Sequence, residues 1–308
     1  LNDIPISTGD YSIIIIPDTQ IVTRYHPEML LPMTSWIVSQ AERLNLKMVL
    51  HIGDVVDEGA TNELQFQQTF AALQVIDQAD IPLLICPGNH DYDNLLDQDR
   101  SLRMFNTYFG MERYKAKKWF GGVFEQGKVE NSYAKLEINN QKYLFLSLEF
   151  GPRDEVLSWV DQILVEHAAY EVIIITHSYM YINGQRTKPG DTYNPKLYLG
   201  AEGANDGEDL WQKCFRKHAN ISAIYSGHHV PEHVSSRTDL GDHNNLVFQS
   251  FQNWQEAKHG GEGRIRIAVH RMIEQKVDHY VFNPISASYE TNPGYEVRYS
   301  KQMRTSGM

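Results

Sequence analysis

Three apolar runs in this chain stop abruptly in residues that can ligate a metal ion or move a proton. They are Ile13-Ile14-Ile15-Ile16-Pro17-Asp18-Thr19-Gln20, Met48-Val49-Leu50-His51-Ile52-Gly53-Asp54-Val55-Val56-Asp57 and Leu83-Leu84-Ile85-Cys86-Pro87-Gly88-Asn89-His90-Asp91. A short apolar run bounded by turn residues is the pattern of a strand buried on both faces, as in a parallel sheet. Open α/β sheets place their sites just beyond the C-terminal ends of such strands. The design recurs where Glu171-Val172-Ile173-Ile174-Ile175-Thr176 stops at His177-Ser178, and where Ile221-Ser222-Ala223-Ile224-Tyr225-Ser226 stops at Gly227-His228-His229.

Residues 30–45 and 62–79 carry helical periodicity, the second through Leu64, Ala71, Leu73, Val75 and Ile76. The order strand, helix, strand, helix, strand implies a parallel sheet with crossover helices. Residues 92–132 read as a helix plus an insertion over the sheet edge, and Asn139-Asn140 as a hairpin turn between strands 133–138 and 142–148. Helices are expected at 153–168 and 206–218, and strands at 246–251, 264–270 and 277–282. The stretch 183–207, dense in Gly, Pro, Asn and Asp, is a long loop of the kind that usually has a function. These elements imply two sheets packed face to face with helices outside. No linker or repeat divides the chain, so a single domain over 1–308 is expected, with its core at about 11–285 and peripheral terminal segments.

The 28 basic and 39 acidic residues give a net charge of −11, and no Lys/Arg run offers a basic patch. That field repels duplex nucleic acid, which is not an expected partner. No segment reaches the roughly 18–20 apolar residues of a membrane span. The two cysteines, Cys86 and Cys214, lie in apolar patterns and read as separate buried thiols. The chain starts at Leu1 without a methionine and shows no signal-peptide apolar region, which reads as a native start already removed. An extracytoplasmic location, secreted or periplasmic, is expected over a cytoplasmic one.

Asp18-Thr19-Gln20, Gly53-Asp54-Val55-Val56-Asp57, Gly88-Asn89-His90-Asp91, Thr176-His177 and Ser226-Gly227-His228 resemble, in order, the signature blocks of the calcineurin-like metallophosphoesterases. The resemblance spans about residues 11–285. Leu148-Glu149-Phe150-Gly151-Pro152-Arg153-Asp154-Glu155 further resembles a bacterial branch that carries DTQ where most members carry DxH. The resemblance implies a four-layer αββα sandwich of two mixed sheets with flanking helices. It also implies hydrolysis of a phosphomono- or phosphodiester by a metal-bound hydroxide, on a small or surface-displayed substrate, with no partner protein evident.

The residue chemistry agrees with that expectation. Asp54 can bridge two cations, Asn89, His177 and His228 can complete one position, and Asp18 with Gln20 can begin the other. Two divalent ions about 3.5–4 Å apart can share a hydroxide and clamp a phosphoryl group. The mixed oxygen and imidazole set suits Mn, Fe or Zn. His90 is expected to act as acid or electrostatic stabiliser, with Asp91 holding its imidazole.

One half of this centre departs from the family pattern. Gln20 and Val230 stand where most members have histidines. The position of Asp18 and Gln20 should therefore be the weaker one. His229, His233 and His243 are candidates to supply the missing ligand, although each reads more simply as a solvated or supporting histidine. Asp57 reads as a supporting carboxylate, His51 as a core histidine, and Arg153 as the partner of Asp154 or Glu155. Arg24, Tyr25 and His26 could face a substrate or only solvent; Tyr179 and Tyr181 could line a pocket or only pack. Gly260-Gly261-Glu262-Gly263 reads as a turn, and Ser178 lacks a Ser/His/Asp arrangement. Two alternative functions follow from the same residues: a non-hydrolytic metal- or ligand-binding protein on this scaffold, and a nuclease.

Overall fold

A computed structural model describes residues 3–94 and 99–301. The first part of the chain forms β1 (Tyr11–Ile16), α1 (Gln20–Tyr25), α2 (Leu30–Gln40), β2 (Leu46–His51), α3 (Glu63–Gln78) and β3 (Leu83–Ile85). Two short helices, α4 (Arg103–Phe109) and α5 (Met111–Tyr114), precede β4 (Phe120–Val123), β5 (Ser132–Ile138) and β6 (Gln141–Leu148). There follow α6 (Asp154–Glu166), β7 (Glu171–Thr176), α7 (Gly207–Lys213), β8 (Ile221–Ser226), β9 (Val234–Leu240) and β10 (Leu246–Gln252). The chain closes through β11 (Ile265–Arg271), β12 (Lys276–Asn283), β13 (Ser288–Tyr289) and β14 (Val297–Ser300).

These strands form two mixed sheets. The first has the order β13-β12-β11-β1-β2-β3, with β14 paired to β12; the second runs β4-β5-β6-β7-β8-β10-β9. Strands β1, β2 and β3 are mutually parallel, as are β6, β7, β8 and β10. The second sheet shows the period of two that side chains must have when both faces are covered. Tyr143, Phe145, Ile173, Ala223 and Phe248 join the core shared with the first sheet. Their neighbours Leu144, Leu146, Val172, Ile174, Ile224 and Val247 pack outward against α6 and α7. The αββα sandwich is therefore the observed architecture.

Several boundaries move. Helix α2 ends at Gln40 rather than 45, and the expected helix 206–218 breaks at Cys214 into α7 and a 3-10 turn, Phe215–Lys217. The hairpin turn falls on Asn139 and Asn140, both at positive φ (52° and 64°), as a tight turn between twisted strands requires. Strand β9 was not expected. Its sequence Val-Ser-Ser-Arg-Thr-Asp-Leu is only partly buried on the sheet edge and so lacks an apolar signature.

The terminal segment is not peripheral. Strands β13 and β14 extend the first sheet, and Tyr299 is buried against Phe248, ring centroids 4.3 Å apart. Lys301 reaches across to the second sheet, pairing with Glu171 at 3.0 Å and donating to the Tyr143 hydroxyl at 2.7 Å. Both members of the ion pair are about nine-tenths buried, so neither charge has water to fall back on. Lys301→Ala should therefore cost ~3–5 kcal/mol by leaving a buried carboxylate alone. Chemical denaturation measures it, and a change below about 1 kcal/mol would contradict the pairing.

Candidate metal centre

The C-terminal ends of the parallel strands from both sheets meet at one point. Asp18 follows β1, Asp54 follows β2 and Asn89 follows β3; His177 follows β7 and His228 follows β8. All five are buried, with exposures between 0 and 6%. His177 Nε2 lies 3.0 Å from Asp54 Oδ2 and 3.7 Å from Asp18 Oδ1. Ligand atoms of Asp54, His177 and His228 all lie within 4.8 Å of one another.

Backbone hydrogen bonds set these side chains. His228 N donates to Asp18 Oδ1 (3.0 Å), His90 N to Asp54 Oδ1 (2.9 Å) and Thr19 N to the Asp54 carbonyl (3.1 Å). Close approach also dictates the glycines before two of the ligands. A Cβ on Gly88 would stand 2.2 Å from Asp54 Oδ1, and one on Gly227 2.2 Å from Asp18 Oδ2. Asp54 and His228 themselves take positive φ (50° and 77°), conformations that cost energy in non-glycine residues and cluster at functional sites.

The imidazoles have defined lone pairs. His177 Nδ1 donates to the Ile52 carbonyl at 2.8 Å, and His228 Nε2 to the Tyr193 carbonyl at 2.8 Å. This leaves His177 Nε2 and His228 Nδ1 as the nitrogens able to coordinate, the arrangement found behind metal-bound histidines. Burial, with His177 adding to it, pushes the pKa of His228 down to about 3. His177 moves the other way, to about 9, because Asp54 and Asp18 outweigh the effect of burial. Burial, assisted by Asp54, lifts the Asp18 carboxyl to about 7 despite the opposing charge of His177. Two buried carboxylates thus share one imidazole, and a cation would relieve the repulsion between them.

The donor atoms fit that requirement. Asp18 Oδ2, Gln20 Oε1 and Asn89 Oδ1 are buried without a hydrogen-bond partner, and His177 Nε2 has only the Asp54 carboxylate at 3.0 Å. Buried polar atoms left so are costly, and a cation among these donors would satisfy them. Gln20, at the start of α1, has its amide nitrogen bound to Gln255 Oε1 at 2.6 Å, which turns its carbonyl oxygen free. Gln255 follows Asn253 and Trp254 just beyond β10, which ends at Gln252. It lies outside the residues that the sequence singles out, although this strand end has the same apolar-to-polar form as the others.

Two of the candidate replacement histidines, His233 and His243, are occupied elsewhere, whereas His229 keeps its Nδ1 buried without a hydrogen-bond partner. His243 accepts no place at the centre: its Nε2 bonds the Lys217 carbonyl at 3.1 Å, beyond the opposite end of β8 from His228. Six strand residues separate those ends, roughly 20 Å. His233 Nδ1 bonds the Tyr295 hydroxyl at 2.8 Å, and His229 Nε2 bonds Ser178 Oγ at 3.2 Å. The second cluster with metal-ligand spacing among the described residues is not on the Asp18–Gln20 side. It is Asp161, Cys214 and His218, on the helical layer.

The partner of His90 also differs from expectation. Asp91 is wholly buried, and its two oxygens accept from Val56 N (3.0 Å) and Gly88 N (2.7 Å), so it shapes the turn. His90 Nδ1 instead donates to the Asp57 carbonyl at 2.8 Å and lies 3.4 Å from the Asp57 carboxylate. Arg24 braces that carboxylate at 2.5 Å. Burial opposes charge on His90, but Asp54 and the Asp57 carbonyl outweigh it and raise the pKa. The ring is about one-third exposed, and Nε2 is the nitrogen left to meet a substrate.

The remaining candidates have structural roles. His51 is fully buried, donating to Thr19 Oγ1 at 3.0 Å while accepting from Gly53 N. Arg153 pairs with Glu149 and Glu155 rather than with Asp154. Tyr179 is buried and bonds Gln249; Tyr181 packs on His229. Tyr25 is exposed beneath Arg24, and His26 meets the ring of His259. The 183–207 loop does reach the site: Tyr193 supplies the carbonyl that orients His228, and the Tyr198 and Phe150 rings wall it. Gly260, Gly261 and Gly263 take positive φ in a turn. Cys86 and Cys214 are free buried thiols.

The profile of the calcineurin-like phosphoesterases matches residues 11–232. The chain belongs to this family. It is 27% identical over 270 residues to the uncharacterized protein YvnB of Bacillus subtilis, covering 86% of this chain but 19% of that one. It thus spans about a fifth of the length of that curated relative. Among solved structures it is similar to a dimetal phosphatase from Danio rerio (TM-score 0.57, 12% identity, 95% of this chain and 99% of that one). It is also similar to a purple acid phosphatase from yellow lupin, Lupinus luteus (TM-score 0.55, 12% identity, 95% of this chain and 54% of that one). At that identity these two show a shared fold. Among the described residues no helix is long and apolar enough to cross a membrane.

An ion bound by these groups stabilises the folded state alone. Saturating Mn²⁺ should raise the melting temperature of the metal-free protein by several degrees, and His177→Ala should remove most of the shift. Equal shifts in both proteins would show that the ion binds elsewhere.

Proposed function

We propose that this family member is a metal-dependent phosphoesterase acting on a phosphomono- or phosphodiester. The observation that carries the reading is the set of three buried oxygen donors without partners at one junction of strand ends. Asp54, Asn89, His177 and His228 would hold the better-furnished ion. Asp18, Gln20 and the shared Asp54 would hold a second, weaker one, since a neutral amide replaces an imidazole. Bound divalent ions supply Lewis acidity for the phosphoryl oxygens and acidify water. Mn, Fe or Zn suits such ligands.

The chain's own residues do the rest. His90 holds a proton at Nε2 toward the leaving oxygen. The Asp57 carbonyl fixes its ring, and the Asp57 carboxylate, braced by Arg24, favours its charged form. Tyr198 and Phe150 exclude water from one side of His228. The net charge of −11 favours a small or surface-displayed ester over a nucleic acid. Gln20 within Asp18-Thr19-Gln20, together with the Bacillus relative, supports placement in the bacterial DTQ branch.

A panel of chromogenic phosphomono- and phosphodiesters with added metal tests the reading. Asn89→Ala and His228→Ala should abolish turnover. His90→Asn should lower kcat by ~10²–10⁴-fold with little change in KM, as loss of a positioned acid does. Asp57→Asn should lower kcat less and shift its pH profile. Full turnover in both ligand variants, or none on any ester in the metal-loaded wild type, would remove the proposal.

A further inference from the structure

A second metal-ligand cluster lies on the outer face of the second sheet, where α6 and α7 pack over Leu146, Val172 and Ile174. Asp161 projects from α6, Cys214 stands just past the end of α7, and His218 follows one 3-10 turn later. Asp161 Oδ1 accepts from both partners, Cys214 Sγ at 3.1 Å and His218 Nε2 at 2.7 Å. The three ligand atoms lie within 4.8 Å of one another.

The cluster has the chemistry of a coordination site rather than of a simple helix clasp. One thiol, one imidazole and one carboxylate are three different donors, from two helical segments, aimed at a common point. Cys214 and His218 flank the 3-10 turn Phe215–Lys217, which brings both side chains to the same Asp161 oxygen. Tetrahedral zinc, with bonds of ~2.3 Å to sulfur and ~2.0–2.2 Å to nitrogen and oxygen, separates its ligand atoms by roughly 3.3–3.6 Å. The two separations from Asp161 Oδ1, 3.1 Å to sulfur and 2.7 Å to nitrogen, need to open by only about half an ångström, which side-chain rotation can supply.

The surroundings leave the position accessible. Cys214 is sealed beneath, while the Asp161 side chain is 47% exposed, so an ion and a water as fourth ligand can enter from that side. The nearby ammonium groups are engaged elsewhere: Lys213 pairs with Asp154 and Lys217 donates to the Lys213 carbonyl. We propose that Asp161, Cys214 and His218 form a separate site for one borderline transition-metal ion such as Zn²⁺, which joins α6 to α7. As the metal binds, the Cys214 S–H bond breaks and its proton passes to solvent, while the His218 ring gives up its Nε2 hydrogen to solvent and takes one at Nδ1, so that Nε2 presents its lone pair. Hard ions such as Mg²⁺ and Mn²⁺ disfavour thiolate, so this site rejects ions that the oxygen-rich strand-end centre accepts.

Cobalt(II) titration of the metal-free full-length chain tests this, because only a thiolate ligand gives a near-ultraviolet sulfur-to-cobalt charge-transfer band. The wild type should show that band, and excess Zn²⁺ should erase it. The chain has two cysteines, so the band must persist in Cys86→Ser and vanish in Cys214→Ser. Asp161→Asn, which keeps the thiol, should need more cobalt to reach the same intensity. A wild type with visible cobalt bands but no thiolate band would overturn the site. So would a band lost in Cys86→Ser.

Discussion

Two carboxylates, Asp18 and Asp54, are forced out of water at the ends of adjacent parallel strands, and the same imidazole faces both. Taking such charges from water costs several kcal/mol each, and only compensating charge can offset it. His177 supplies part of that charge, at 3.0 and 3.7 Å from the two oxygens. Its second nitrogen is pinned to Ile52, so the side chain cannot turn away. The unpartnered oxygens of Asp18, Gln20 and Asn89 show that the imidazole does not finish the task. A cation completes it.

The sandwich serves this one requirement. Parallel strands in each sheet send their C-terminal ends the same way, and the packed sheets bring carboxylates from one to imidazoles from the other. Gly88 and Gly227 allow the approach by lacking side chains where the opposing carboxylates stand. The result is an uneven centre. Its Asn89–His177–His228 side has oriented imidazoles, whereas its Asp18 side leans on a glutamine held by Gln255. The hydrogen-bonded positions of His233 and His243 leave that asymmetry uncorrected.

Much of this was legible in the residues because strand burial and strand-end chemistry are local signals. The apolar runs 171–176 and 221–226 match β7 and β8, and the helix expected at 62–79 is α3 within one residue at each end. What escaped was relational. Asp91 adjoins His90 in sequence, but the 3-10 turn over Asn89–Asp91 sends their side chains apart, and Asp57 from another strand end meets the ring. Strand β9 is polar because it lies on an edge, and β14 is recognisable only through its pairing with β12. The Gln20–Gln255 contact joins residues 235 positions apart, beyond the reach of any periodicity.

The proposed cation site at this junction of strand ends has one strong and one weak position. Calorimetric titration of the metal-free protein with Mn²⁺, read beside turnover of a chromogenic phosphodiester, separates the two. Two binding steps of unequal affinity are predicted, with turnover rising on the weaker step. A single step that already gives full turnover, or turnover by the metal-free protein, would contradict the account.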